Sequence, residues 1–169
     1  MKYLLKLLLV FILISTIPLC VQAKNIKYNH NSITISEVEK KVDFKVLSPK
    51  QVPKDWTLEI KTYPLGEKDT ITNFRLHYMD KNDKYLMVGI EQRKAVSNEV
   101  EVKTPNAEKI NINGHIAYFQ GWGNGGEGDS KGKKITGGLL TWIQDGTYIE
   151  MDSSNISKEN MMKIANSLK

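Results

Sequence analysis

Leu139-Leu140-Thr141-Trp142-Ile143-Gln144-Asp145-Gly146-Thr147-Tyr148-Ile149-Glu150-Met151 sets the architecture of this chain. Asp145-Gly146 supplies the two positive-φ positions that a tight two-residue hairpin demands, so the run predicts two antiparallel strands. Leu139 to Ile143 is apolar at both phases of the strand period, the pattern of a strand covered on both faces. His115 to Trp122 has the same character and follows Asn113-Gly114, the strongest hairpin signal in the sequence. These segments read as the central strands.

Upstream the period of two is cleaner. Trp56, Leu58 and Ile60 alternate with Thr57, Glu59 and Lys61, and Phe74, Leu76 and Tyr78 alternate with Arg75, His77 and Met79. Asp80-Lys81-Asn82-Asp83 turns the chain into a strand with Leu86, Val88 and Ile90 on one face and Tyr85, Met87 and Glu91 on the other. Residues 93–109 are charged and polar, with Val100 and Val102 hinting at an edge strand before Pro105. Pro49 and Pro53 impose an extended connection anchored by Val46, Leu47 and Val52.

A helix is expected at each end. Thr34/Glu37 and Ser36/Glu39 both match the capping box, and the following turn would bury Ile35, Val38 and Val42. Ser157 caps a second helix with Met161, Ile164, Ala165 and Leu168 on one face and Ile156 stapled to Met161. The fold class is therefore α+β: six or seven mostly antiparallel strands with an N-terminal and a C-terminal helix, and no βαβ alternation.

Residues 1–23 read as a signal peptide: Lys2 and Lys6, an apolar run from Leu7 to Leu19, then Val21-Gln22-Ala23 with cleavage after Ala23. The run is too short for a membrane span, so membrane contact is expected only during export. Lipid anchoring at Cys20 is disfavoured because Leu19, not a small residue, precedes it. Cleavage leaves 146 of 169 residues: a polar flexible lead over 24–33 and one α+β domain over 34–169. The mature chain has no cysteine and must be held by packing alone. Losing Lys2 and Lys6 leaves 22 basic against 19 acidic residues, a net charge of +3 spread along the chain, without the clustered footprint of a nucleic-acid binder.

Motifs for chemistry fail on context. Gly121-Trp122-Gly123-Asn124-Gly125-Gly126 spells a dinucleotide fingerprint, but no helix-forming sequence follows to receive a pyrophosphate. Gly128-Asp129-Ser130-Lys131-Gly132 spells a nucleophile elbow with no histidine after it. His30, His77 and His115 show no metal-ligand spacing, and a His77–Glu91 cross-strand pair reads as a structural contact before an acid–base one. No catalytic residue, cofactor or metal is expected.

With Phe74, Leu76, Val88 and Ile90 on one face of the sheet, the other face is read as carrying Tyr85, Met87, Tyr118, Trp122, Trp142 and Tyr148. Such a row suits a groove for a lipid tail or a partner segment, unless the chain's own helices and long loop cover it.

The order Phe44-Lys45-Val46-Leu47, Pro49, Val52-Pro53, Leu76-His77-Tyr78, Asn113-Gly114-His115-Ile116-Ala117, Leu140-Thr141-Trp142 and Ile164-Ala165-Asn166-Ser167-Leu168 resembles a bacterial domain of unknown function. That domain occurs in exported proteins of Gram-positive, often spore-forming bacteria and on the outer side of some anti-sigma factors. More distantly the chain is similar to the C-terminal domain of the MucB/RseB regulators, neighbours of LolA-like carriers. The resemblance spans Thr34 to Lys169 and rests on structural motifs; neither the cytoplasmic anti-sigma segment nor the separate carrier domain of those relatives is expected here. It implies a secreted or envelope-associated, non-enzymatic binding or regulatory domain whose partner is an envelope protein or apolar ligand. Two alternatives stand beside it: a lipid or lipoprotein carrier with an apolar groove, and a small extracellular hydrolase joining His77 or His115 to a carboxylate or Ser130.

Overall fold

The structure is a computed structural model that describes residues 26–66, 70–96, 107–122 and 137–169. The signal peptide, the expected Val100/Val102 edge strand, the glycine-rich motifs from Gly123 onward and Ser130 lie outside the described residues. Seven strands form one sheet, β1 (Thr57–Tyr63), β2 (Asn73–Met79), β3 (Leu86–Lys94), β4 (Glu108–Ile112), β5 (His115–Gly121), β6 (Gly138–Gln144) and β7 (Thr147–Ser153), in the order β1-β2-β3-β7-β6-β5-β4. Every neighbouring pair is antiparallel. Both predicted two-residue hairpins are present: Asn113 and Gly114 have φ of 52° and 86°, and Asp145 and Gly146 of 51° and 80°.

Register partners share a face, so the inner face can be read across the strands. Phe74, Leu76 and Tyr78 lie opposite Gln92, Ile90 and Val88, and the row continues through Ile149 and Met151 to Trp142 and Leu140, then Ala117 and Phe119. These apolar residues form one buried cluster, joined by Val38 of α1 (Ile35–Glu39) and by Met161, Ile164 and Ala165 of α2 (Lys158–Ala165). Of the two overlapping capping boxes the first is used: Thr34 Oγ1 accepts from Glu37 N–H, and Glu37 accepts from Thr34 N–H at 2.8 Å. Ser157 caps α2 by accepting from Asn160 N–H.

The proline-bounded connection crosses the inner face. Val46 and Leu47 are buried, and Phe44 stacks on Phe74 with ring centroids 6.0 Å apart. Gln92, wholly buried, grips this segment through both ends of its amide: Leu47 N–H donates to Oε1 at 2.8 Å and Nε2 donates to the Leu47 carbonyl at 2.7 Å. The C-terminus closes over it, since Ser48 and Lys169 exchange backbone hydrogen bonds around a Pro49–Leu168 bridge.

The lead expected to be free over 24–33 is, in its described part, fastened to β1. Tyr28 makes a parallel bridge to Leu58, whose N–H and carbonyl bond Lys27 and Asn29, and Ile60 N–H donates to Ser32 Oγ at 2.7 Å. His30 reaches Asp83 at 2.9 Å and Glu59 at 3.4 Å. The physical reason is the edge of β1, whose backbone groups need partners. His30 and Asn31 take the left-handed turn, with φ of 52° and 54°, a conformation that these two residue types adopt more readily than most.

Candidate functional site

The outer face is the side away from Phe74, Leu76, Val88 and Ile90. Tyr118 stands on it opposite Thr141, and Tyr148, only 3 % exposed, opposite Arg93 and Ile143. The Arg93 guanidinium lies 3.9 Å from the Tyr148 ring centroid, and Tyr148 Oη donates to Glu150 Oε2 at 3.2 Å. Strand alternation puts Trp122, half-buried just past Gly121, on this face as well. Met87, expected in the same row, instead packs against the inner cluster, because the register shift between Tyr78 and Met79 leaves it outside the regular alternation of β3.

Two further members of the expected row are elsewhere. Trp142 faces inward between Ala117 and Ile149, is 0 % exposed, and donates from Nε1 to Gln144 at 3.3 Å. Its strand is apolar at both phases, so periodicity gave no parity and the register decided the face. Tyr85 precedes β3, at the exit of a turn that Asp80 holds by accepting from the N–H groups of Lys84 and Tyr85, and its ring is half exposed.

The expected His77–Glu91 contact does not form, because the register sets His77 opposite Glu59 and Gly89, and Glu91 opposite Arg75. Arg75 in turn passes over Gly89 to donate to Asp152 on β7. A Cβ on Gly89 would overlap that guanidinium. Gly89→Ala should therefore gain the roughly 0.5–1 kcal/mol that alanine holds over glycine within a strand. It should lose a partly buried, charge-assisted bond that contributes about 1.5–3 kcal/mol, for a net loss of about 1 kcal/mol in urea unfolding. With Arg75→Met in the background the same change should stabilise; destabilisation there as well would show that the crossing is not what the glycine serves.

With Arg75 committed to Asp152, Glu91 accepts from Asn73 Nδ2 at 3.0 Å, and it faces Glu150 directly across β3 and β7. Thr141, next in line on β6, is 2 % exposed and its Oγ1 has no hydrogen-bond partner. His77 Nε2 is likewise buried without a partner.

Burial, and then the Arg75 charge, hold the His77 imidazole below its ordinary value against the pull of Glu59 and Asp152. The unfolded chain thus protonates this histidine first, so its stabilising contribution is complete above pH 6.5 and declines as pH falls from there. His77→Gln should flatten the stability curve just below pH 6.5. The carboxylates held below their usual range, Asp80 by the backbone N–H groups of Tyr85 and Lys84 and Asp145 by Lys45, should keep their loss at lower pH. Urea midpoints measured across that range test this, and an unchanged slope would contradict it.

His115 sits at the β4–β5 hairpin exit opposite Ile112. Among the described residues no group of three or more His, Cys, Asp or Glu side chains is placed to hold a metal, and no helix is long and apolar enough to cross a membrane. A family model for a domain of unknown function, DUF4367, matches residues 46–168. The chain belongs to the DUF4367 family. The DUF4367 match takes in all seven strands, α2 and the segment that Gln92 grips; the β1 strap and α1 precede it. No curated protein and no solved structure shows significant similarity to the chain.

Proposed function

We propose that this DUF4367 chain is an exported, non-enzymatic binding domain of the cell envelope, and that its partner surface is the outer sheet face along β5, from Tyr118 to Trp122, with Tyr148, 3 % exposed, packed beneath it. The observation that carries this reading is the pair of half-buried aromatics Tyr118 and Trp122 along β5, with the Arg93–Tyr148 stack packed beneath the end of the face near the β6–β7 hairpin, on a face to which neither helix contributes buried side chains. Tyrosine, tryptophan and arginine are the residues enriched at protein interfaces. Export is supported by the signal-like composition of residues 1–23. The lipid-carrier reading needs Trp142 in an open groove, and Trp142 is core. The hydrolase reading needs His77 or His115 joined to a carboxylate or to Ser130; His77 Nε2 has no partner, and Ser130 lies outside the described residues.

Photo-crosslinking probes at Trp122 and Tyr118, with a control probe at exposed Lys40, test this in intact cells. A protein adduct recurring at the face probes and absent from the control is the expected result; equal labelling at all three sites, or lipid adducts alone, would overturn it. N-terminal sequencing of the extracytoplasmic protein should begin at Lys24.

A further inference from the structure

We infer that Glu91 and Glu150, with Thr141 beside them, form the docking point for a basic side chain, lysine or arginine, carried by the partner polypeptide. This deepens the outer-face reading and rests on it. Like charges directly opposite on one face of a sheet are destabilising, and this pair sits mid-sheet with ready sources of relief turned elsewhere. The register partner of Glu91, Arg75, spans β3 to Asp152, while Arg93 lies flat on Tyr148. The bonds the pair does receive are neutral ones, from Asn73 and from the Tyr148 hydroxyl.

The independent observation is Thr141. Its hydroxyl is buried, unpartnered, and on the same face, on the strand flanking Glu150. A buried hydroxyl without a partner costs about 1–3 kcal/mol, and valine at this position would fill the same space without that cost. A donor arriving at Glu150 is what both features lack. Half-buried Tyr118 is the register neighbour of Thr141 on β5. A lysine or arginine head supplies several donors and a positive charge, and its apolar stem suits the tyrosine faces on either side. The occupant is chain-borne because the half-buried acids lie side by side along a row of the sheet, where an extended side chain can lie across the strands; a depression lined by Gln51, Met162 and Asn166 lies apart from them, beside α2.

The test is calorimetric titration of the mature chain with a tetralysine peptide, and a tetraglutamate peptide as control, at about 0.15 M salt. Tetralysine should bind and tetraglutamate should not. Glu91→Gln and Glu150→Gln should each weaken binding about tenfold while leaving the fold intact by circular dichroism. Thr141→Val separates a binding role from a packing one: it should raise the melting temperature of the free chain and yet weaken tetralysine binding severalfold. Unchanged affinity in the Glu91/Glu150 double variant, or in Thr141→Val, would overturn the inference. The Trp122 crosslink, repeated in the double variant, keeps the two claims apart. Undiminished capture of the same partner would sink the basic-side-chain assignment and leave the outer-face reading standing, whereas no face-specific adduct in the unaltered chain would remove both.

Discussion

Trp142→Ala should lower the free energy of unfolding by about 4 kcal/mol, the usual cost of emptying a large aromatic site in a core. The indole is 0 % exposed between Ala117 and Ile149, and its removal also takes the Nε1 donor from the Gln144 side chain, which is itself buried. Against a typical total of roughly 5–15 kcal/mol for a domain, that brings the chain close to unfolding at physiological temperature. The urea midpoint should fall sharply with little change in slope. Trp122→Ala, at the half-buried outer position, should cost about 1 kcal/mol or less. Equal losses for the two variants would contradict their placement on opposite faces.

Gln92→Leu should destabilise by about 3 kcal/mol although it hardly changes side-chain volume. Leucine removes both partners of Leu47, stranding an N–H and a carbonyl in the interior at about 1–3 kcal/mol each before local relaxation. Gln92→Glu gives a sharper signature. A carboxylate still accepts from Leu47 N–H but cannot donate to its carbonyl, whereas the protonated acid can do both. Burial raises the folded-state pKa of such a group above its unfolded value near 4.3, so its stability is fully present at low pH and is lost as pH rises through the folded pKa. Gln92→Glu should therefore be most stable, relative to wild type, in acid. A variant equally unstable at all pH values would show that packing, and not the amide grip, holds residues 46–50.

Local chemistry was the legible part of the sequence. Asn113-Gly114 and Asp145-Gly146 can hardly be anything but tight hairpin turns, and Thr34/Glu37 and Ser157 mark helix starts through bonds made within a few residues. The seven-stranded antiparallel sheet follows from those turns and the strand period. What could not be read was parity and long-range pairing. In a strand such as Leu139 to Ile143 both phases are apolar, so nothing local placed Trp142 under the sheet and Tyr118 above it. The misjudged His77–Glu91 contact missed by two residues of register, and the Arg75 crossing depends on a glycine in the intervening strand, a signal visible only once the strand order is known. Gln92, between the strand read as far as Glu91 and the polar stretch that begins at Arg93, gave no hint that its amide would complete a backbone 45 residues away.

The strap on β1 has a consequence for self-association. A sheet with two bare edges can recruit copies of itself without limit, which is how edge-to-edge growth leads to fibres. Here one edge is taken by the chain's own residues 27–29, and among the described residues only β4 is left with an unpaired side. Two molecules meeting through β4 would consume the bare side of each, so growth by this route terminates at a pair.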